Sequence, residues 1–521
     1  MGGAFKNIVI FLLLAILAFV AGSLASDGAQ VAMMPVILVM GTFFLIYLGK
    51  NCWWLIFLVP PVMALMDVSM LKDFPVPFVI CGVVMVYWLL MSVMGYVKTT
   101  WNGFAPLDVV NALLLIYFLS TWIMNPVTLK IFTSITDEGY ADVGGKEYFW
   151  AIGSAVAYLA LSVIPITIPA LVRVLKWAFL VSFVMAAFMC AKGLVLGGGY
   201  STELAETTRY SPFAGIGNIA YYYLFAKFPV IGIVISPWKL VLVLGACMAI
   251  AMTGFRENIL NAGVYALSLS FIHRQLILLL FGCLSVWGFL VYLSNEKMLD
   301  GLPYGAKRVL TAVPGVEIED KEITGGAQHS LDWRFEMWRW ALTPSEGYIK
   351  DYVWGDGFGQ SMYQLRLTTI SMNRGKMHGG DQRFFAETGV WHSGVITAIH
   401  RTGFVGLGII IIWSIVCIFY IFRVCFALRN VKGREFIYLA IMPFVGEIVL
   451  FYVSAGSFRK LFDTIFYAAA LAKVVCSVVA KEGLMPPLFA RKIYVPLMHR
   501  EDDSEESCED VATSKTQLQH S

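Results

Sequence analysis

The feature that most constrains this chain is a succession of apolar runs, each near the hydrocarbon thickness of a bilayer and separated by short polar breaks. They fall near 8–25, 31–48, 52–70, 76–96, 107–125, 148–170, 177–198, 216–236, 240–255, 259–272, 276–294, 396–422, 436–453 and 463–480. A membrane core offers no water to backbone amides, so each run must satisfy its own and is read as a helix. The expected fold is all-α, a polytopic integral membrane protein with roughly 12–14 transmembrane helices and one large, mainly helical loop. The count has a range because 240–255 and 259–272 read as one tight hairpin whose legs do not fully cross.

Charge supports the same class. Charged residues make up 14% of the chain, against about 25% in an ordinary soluble domain, which argues against a soluble globule, a disordered chain or a nucleic-acid binder. A formal charge of +3 is too small to imply a polyanionic partner for the whole molecule. Residues 295–395 hold 24 of the charges and residues 481–521 hold 13, so the polar chemistry is concentrated there. The organisation that follows is 1–239 as N-terminal transmembrane helices and 240–294 as the hairpin with its following span. The large loop is 295–395, the C-terminal helices are 396–480, and 481–521 is an acidic, disordered tail.

Lysine and arginine in the short loops orient the molecule. Lys6, Lys50, Lys98, Arg173, Lys176, Lys239, Arg274 and the group Arg423, Arg429, Lys432, Arg434 share one side when both termini are cytoplasmic. The loop 295–395 then lies on the outer side. Lys6 with Ser23-Leu24-Ala25 imitates a cleavable signal, but the next apolar run follows within a few residues, so an uncleaved first helix is expected. Eight of the nine cysteines lie in apolar runs and none in 295–395, leaving no disulfide framework and no zinc spacing.

Ionisable residues at a membrane boundary are functional candidates by default. Arg256 stands in Thr253-Gly254-Phe255-Arg256-Glu257, between two apolar runs. It reads either as a snorkelling cation paired with Glu257 or as a clamp whose forked donors suit phosphate oxygens. The stretch from Ser330 to Trp340 reads as an amphipathic helix with Arg334 and Trp338 on one face. Its tryptophans Trp333, Trp338 and Trp340 suit a helix lying at the interface, with stacking on sugar rings as the alternative. Gly355-Asp356-Gly357-Phe358-Gly359 lacks the flanking strand of a nucleotide fold and reads as a tight turn. Arg366, Arg374, Lys376, His378 and Arg383 face only Asp381, forming a basic stretch that is either an anionic-headgroup contact or a solvated loop. His392 sits at the mouth of the span beginning at 396; a lone histidine is more often structural, but here neutral imidazole could take a proton from a hydroxyl. His400 and Arg401 lie deeper and must line a cavity or face the interface. The loop Ser26–Gln30 carries a single aspartate, which argues against a metal-dependent transferase, and no Walker A or HExxH sequence is present.

The order of these pieces resembles the O-antigen ligase and O-antigen polymerase superfamily of bacterial membrane proteins. Thr253-Gly254-Phe255-Arg256 looks like its [ST]GSR element. Arg334, Trp338 and Gly355-Asp356-Gly357-Phe358-Gly359 are similar to its R…W…GxGxG stretch. His392-Ser393 with Gly403 and Gly406 resembles its HN…ExG…G signature. The matched region runs from about 240 to 425, with Phe255, Ser393 and Arg401 departing from the pattern.

The resemblance implies a cofactor-free, metal-independent glycosyltransferase of the bacterial inner membrane with a periplasmic active site. Its donor would be an undecaprenyl diphosphate-linked glycan, bound by Arg256 and Arg334. Its acceptor, a lipid A core, glycan chain or protein, would be activated by His392. Arg366, Arg374, Lys376, His378, Arg383 and Arg401 are accessory candidates. Ligase and polymerase are not separated by sequence. A lipid-linked glycan flippase, or a non-catalytic assembly component, are the competing expectations.

Overall fold

The computed structural model describes residues 45–63, 76–102, 105–127, 145–195, 212–318, 321–359, 386, 389, 391–453 and 456–481. Among these, every regular element is helical. The expected span at 8–25, most of 31–48, and the acidic tail lie outside the described residues.

A 3-10 turn at Gly49–Trp54 leads into α1 (Leu55–Met63), followed by α2 (Val76–Val93), α3 (Pro106–Met124), α4 (Gly145–Val163) and α5 (Ile168–Val195). Then come α6 (Pro212–Lys227), α7 (Val230–Val234), α8 (Pro237–Met252), α9 (Arg256–Ile272) and α10 (Leu276–Asn295). The loop region contributes α11 (Tyr304–Leu310) and α12 (Lys321–Leu342), and the chain re-enters the bundle as α13 (Gly394–Ala427). The final helices are α14 (Arg434–Ile441), α15 (Pro443–Val453), α16 (Phe458–Thr464) and α17 (Ala470–Lys481), the last two joined by a π segment, Ile465–Ala469.

Proline explains most departures from the apolar pattern. The run expected at 148–170 stops at Val163 because Pro165 cannot continue a helix, and Pro169 fits the first turn of α5. Pro229 divides the run 216–236 between α6 and α7, and Pro443 separates α14 from α15. Pro106 opens α3, where a missing N–H costs nothing, and the Asp108 carboxylate accepts the Ala105 N–H at 2.8 Å.

Six of the described helical stretches are long and apolar enough to cross a membrane: Pro106–Met124, Ile168–Lys192, Leu276–Asn295, Gly394–Ala427, Arg434–Val453 and Phe458–Lys481. Pro77–Val93, Glu147–Val163 and Pro237–Met252 are shorter and also apolar. This is an all-α, multi-pass membrane protein. Its helices divide by burial: Phe458–Lys481 is the central one, whereas α10 turns outward, with Ile277 85% and Phe281 69% exposed. Aqueous solvent would not tolerate that surface over a whole helix, but lipid does.

α3 packs along α13, α6 against α8, α9 against α15, and α17 against α4 and α13. Two ends of the bundle can be told apart. His273, at the C-terminus of α9, lies in the field of Arg429 and Arg434, so the basic turns share one end. At the other, Asn125 at the end of α3 donates from Nδ2 to the Gly355 carbonyl at 3.4 Å, meeting the glycine-rich turn that precedes α13.

Candidate functional site

At this second end, the turn from α8 to α9 is built around Thr253, which is fully buried. Its hydroxyl donates to the Ile250 carbonyl at 2.7 Å and accepts from the Phe255 N–H and Asn258 Nδ2, each at 3.3 Å. The turn therefore delivers Arg256 at the first position of α9. Arg256 donates from Nη2 to the Thr311 hydroxyl at 3.1 Å and from Nε to the Arg308 carbonyl at 3.4 Å. The contacts thus run to the segment carrying α11 instead of to neighbouring Glu257.

α11 approaches this turn unusually closely. A Cβ on Gly305 would lie 2.4 Å from the Met252 carbonyl oxygen, a backbone atom that cannot step aside. Glycine at 305 is what lets α11 carry Arg308 to the turn. The charges of Arg308 and Arg334 both bear on Arg256, so three guanidinium groups share this corner.

Arg334 reaches the corner from α12 and is half-buried. Burial draws its guanidinium below its ordinary range; Glu257 opposes the shift and Arg308 adds to it. Arginine remains charged under such shifts. Among the described residues no carboxylate forms an ion pair with Arg256, Arg308 or Arg334. The corner holds an excess of positive charge, three guanidinium groups with Glu257 as the carboxylate acting on them.

The tryptophans of α12 have a packing role within the protein. Trp333, Trp338 and Trp340 pack against a small core formed by Met337, Ala341, Ile349, Trp391, Ile396 and Ile399. Trp338 Nε1 donates to the Trp391 carbonyl at 2.8 Å. Their role is to lock α12 to the entrance of α13, where an amphipathic pattern alone suggested a lipid interface or a sugar platform. Phe335, 61% exposed, is the aromatic of α12 that points away.

This lock positions His392. Trp391 is wholly buried, its carbonyl held by Trp338 and its Nε1 donating to His400 Nδ1 at 3.1 Å. On the other side, the Ser393 hydroxyl caps α13 by accepting the Ile396 N–H at 3.4 Å. Between these anchors, His392 adopts φ +48°, a left-handed conformation uncommon outside glycine. Its ring centroid lies 5.5 Å from that of Trp333. Burial first, and the charge of Arg334 second, lower its pKa from the ordinary imidazole value. Both causes favour the neutral ring, the form that can accept a proton.

The glycine-rich turn is a plug seated on α13. Gly403 interrupts that helix with φ +65° and ψ −177°, and a Cβ there would lie 2.1 Å from the Val353 carbonyl oxygen. Four backbone bonds cross the junction: from the Asp356 N–H to the His400 carbonyl at 2.8 Å, from the Gly357 N–H to the Arg401 carbonyl at 3.0 Å, from the Phe404 N–H to the Tyr352 carbonyl at 2.8 Å and from the Val405 N–H to the Val353 carbonyl at 3.2 Å. Phe358 inserts among Phe118, Tyr148 and Phe458. Arg401, deeply buried, donates from Nη1 to the carbonyls of Gly357 at 3.2 Å and Gly359 at 2.9 Å. His400 Nε2 lies 3.6 Å from the Asp356 carboxylate, and since Nδ1 accepts from Trp391, the ring proton is placed on Nε2. Arg401 and His400 are therefore committed to holding the turn.

Arg256, Arg334 and His392, separated by up to 136 positions in the chain (392 − 256), are thus brought to one end and coupled through Arg334. The accessory candidates Arg366, Arg374, Lys376, His378 and Arg383 lie outside the described residues. Among the described residues no three of His, Cys, Asp and Glu gather as a metal site.

Sequence reasoning missed two features. Arg308 has no motif around it; the one available signal was Gly305 three residues earlier. The second is a buried ion pair inside the bundle, Lys473 Nζ to Asp108 Oδ1 at 2.7 Å, completed by Ser162 Oγ at 3.1 Å and the Tyr158 hydroxyl on Asp108 at 2.7 Å. A cavity of about 320 Å³ lies beside it, lined by Trp101, Asp108, Asn111, Leu115, Tyr158 and Leu159. Here the detectable signal was a charge inside each of two apolar runs, Asp108 and Lys473, of opposite sign. Compared with known proteins, the chain matches no family model and no curated relative.

Proposed function

We propose that the chain is a membrane glycosyltransferase resembling the O-antigen ligases. It moves a glycan from a polyprenyl diphosphate, undecaprenyl diphosphate in a bacterial inner membrane, to an acceptor hydroxyl on the periplasmic face. The observation that carries the reading is the corner itself: half-buried guanidinium groups with no ion-paired carboxylate among the described residues, beside a neutral imidazole. Uncompensated cations shielded from water favour a multiply charged anion, and forked donors match phosphate oxygens.

In this mechanism Arg256 and Arg334 bind the lipid diphosphate. His392 takes the proton of the acceptor hydroxyl as its oxygen attacks the anomeric carbon. The bond from that carbon to the diphosphate oxygen breaks, and the electron pair leaves with the diphosphate. Arginines fixed in advance stabilise the charge that develops there. Direct displacement inverts the anomeric configuration. A polymerase differs only in its acceptor, a second lipid-linked glycan.

Transfer between a polyprenyl diphosphate glycan and an acceptor, measured with purified protein, tests the reading. Loss of product in His392→Ala, with normal expression, is the expected result; unchanged product removes the histidine from the chemistry.

A transport reading has one observation in its favour, the Asp108–Lys473 pair beside a cavity within the bundle. It is the weaker reading because the pair is already bonded to Ser162, Tyr158 and the Ala105 N–H.

A further inference from the structure

The corner contains one more guanidinium than the proposed donor needs. A diphosphate esterified at both ends carries two negative charges, which Arg256 and Arg334 balance. When the glycosyl bond breaks, the ester oxygen becomes a free phosphate oxygen and a third negative charge appears. We infer that Arg308 is the group that meets this developing charge, so that it acts on the departing diphosphate more than on the bound donor. The inference rests on the transferase reading above.

Three observations carry it. First, α11 is held against the Thr253–Arg256 turn by a backbone approach that only glycine at 305 allows, so Arg308 is presented by a fixed element. Second, Arg256 is bonded to this same element through the Arg308 carbonyl and the Thr311 hydroxyl, which ties the placement of the two guanidinium groups together. Third, Arg308 is half-buried and forms no ion pair among the described residues, although its charge is felt by both Arg256 and Arg334. A fold that spends a close backbone contact on bringing a third cation to two others, with Glu257 acting on Arg334 but no carboxylate ion-paired to any of the three among the described residues, is arranged for an anion more highly charged than the resting donor. Interactions that strengthen only as the bond breaks are the ones that raise the rate.

The balance of the step is simple. The acceptor oxygen gains a bond to the anomeric carbon and loses its proton to His392. The anomeric carbon loses its bond to the diphosphate oxygen, which keeps the electron pair and faces Arg308.

Binding tests this without requiring turnover. Farnesyl diphosphate, a monoester, stands in for the leaving group, and glucosyl farnesyl diphosphate, a diester, stands in for the donor. Both are titrated calorimetrically against the full chain in detergent. For Arg308→Ala we expect monoester affinity to fall by about tenfold or more and diester affinity by no more than about threefold. Arg256→Ala should weaken both. In transfer assays Arg308→Ala should lower kcat with little change in KM, and Arg308→Lys, which keeps the charge and the folded element, should recover part of kcat. Equal losses for the two ligands, or none, in Arg308→Ala would overturn the role of Arg308 while leaving the transferase reading intact. Wild-type protein that binds neither ligand would overturn both.

Discussion

Two kinds of buried cation occur in this molecule, and they differ in one respect. Arg401 and Lys473 are deeply buried and each is supplied with partners: two glycine carbonyls for Arg401, a carboxylate and a hydroxyl for Lys473. Arg256, Arg308 and Arg334 are less buried and stand together as three like charges; among the described residues they have no ion-paired carboxylate, and Arg256 alone of them donates side-chain hydrogen bonds, to the Arg308 carbonyl and the Thr311 hydroxyl. A charge removed from water must be compensated by the protein or remain available to something else. The first kind is therefore read as architecture and the second as a site. Burial alone would have ranked them the other way, since Arg401 is more enclosed than Arg256, Arg308 or Arg334.

That contrast can be broken most sharply at His392. The imidazole belongs to the uncompensated corner, so His392→Ala should reduce transfer by about 10²–10⁴-fold, the usual contribution of a general base. Its thermal unfolding midpoint should fall by less than that of Arg401→Met, because Trp391 and Ser393 hold the backbone on either side. A variant that loses activity only because it loses the fold would place His392 with Arg401 instead.

Arg401 is the opposite case. Arg401→Met leaves the Gly357 and Gly359 carbonyls without their donor and loosens the plug on α13, at a cost of about 2–5 kcal/mol. Unfolding monitored by heating in detergent should register this as a clear drop in midpoint. Arg334→Ala, by the same measurement, should leave the midpoint near that of the wild type, because the repulsion from Arg256 and Arg308 and the attraction to Glu257 are lost together. Equal destabilisation of both variants would erase the distinction between them.

The ion pair in the bundle sharpens the comparison further. Lys473→Met strands the Asp108 carboxylate in the interior and should cost about 3–5 kcal/mol. Adding Asp108→Asn removes the stranded charge, so the double variant should recover much of the loss. A double variant no better than Lys473→Met would mean that the hydrogen bonds of Asp108 to Tyr158 and the Ala105 N–H, not the charge pair, hold α3 in place.

The helical, membrane-spanning class was legible because apolar length and charge depletion are properties of the chain alone. Helix ends were less legible, since Pro165, Pro229 and Pro443 act locally within runs that remain apolar throughout. At the site, Arg256, Arg334 and His392 could be singled out because a charged or titratable residue beside an apolar run is costly and therefore informative. Arg308 could not, because in the sequence it is one cation among many in a polar loop. Its meaning comes from a contact between Gly305 and Met252, 53 positions apart (305 − 252). The packing partner of the α12 tryptophans was not legible for a related reason. Periodicity shows that a face is apolar, but the choice between lipid, sugar and Trp391 as its partner is made by tertiary structure.

The smallest expected effect is also the most specific, because it asks whether the two halves of the corner are coupled. His392 has a lowered pKa from burial and, second, from the positive charge of Arg334. A general base works in its unprotonated form, so transfer should hold at neutral pH and decline only as pH falls below the ordinary imidazole value near 6.5. Replacing Arg334 by glutamine removes the second cause and leaves the first. The pKa of His392 should then rise, and the acid limb of the kcat profile should move to higher pH. Arg334→Lys keeps the charge, so its limb should stay near the wild-type position even though its forked contact with phosphate is lost. The absolute rate falls in both variants, which is why the position of the limb, normalised to each variant's own plateau, is the quantity to read. An unmoved limb in Arg334→Gln would mean that the imidazole responds to burial alone, and that the arginine and the histidine share a corner without sharing a field.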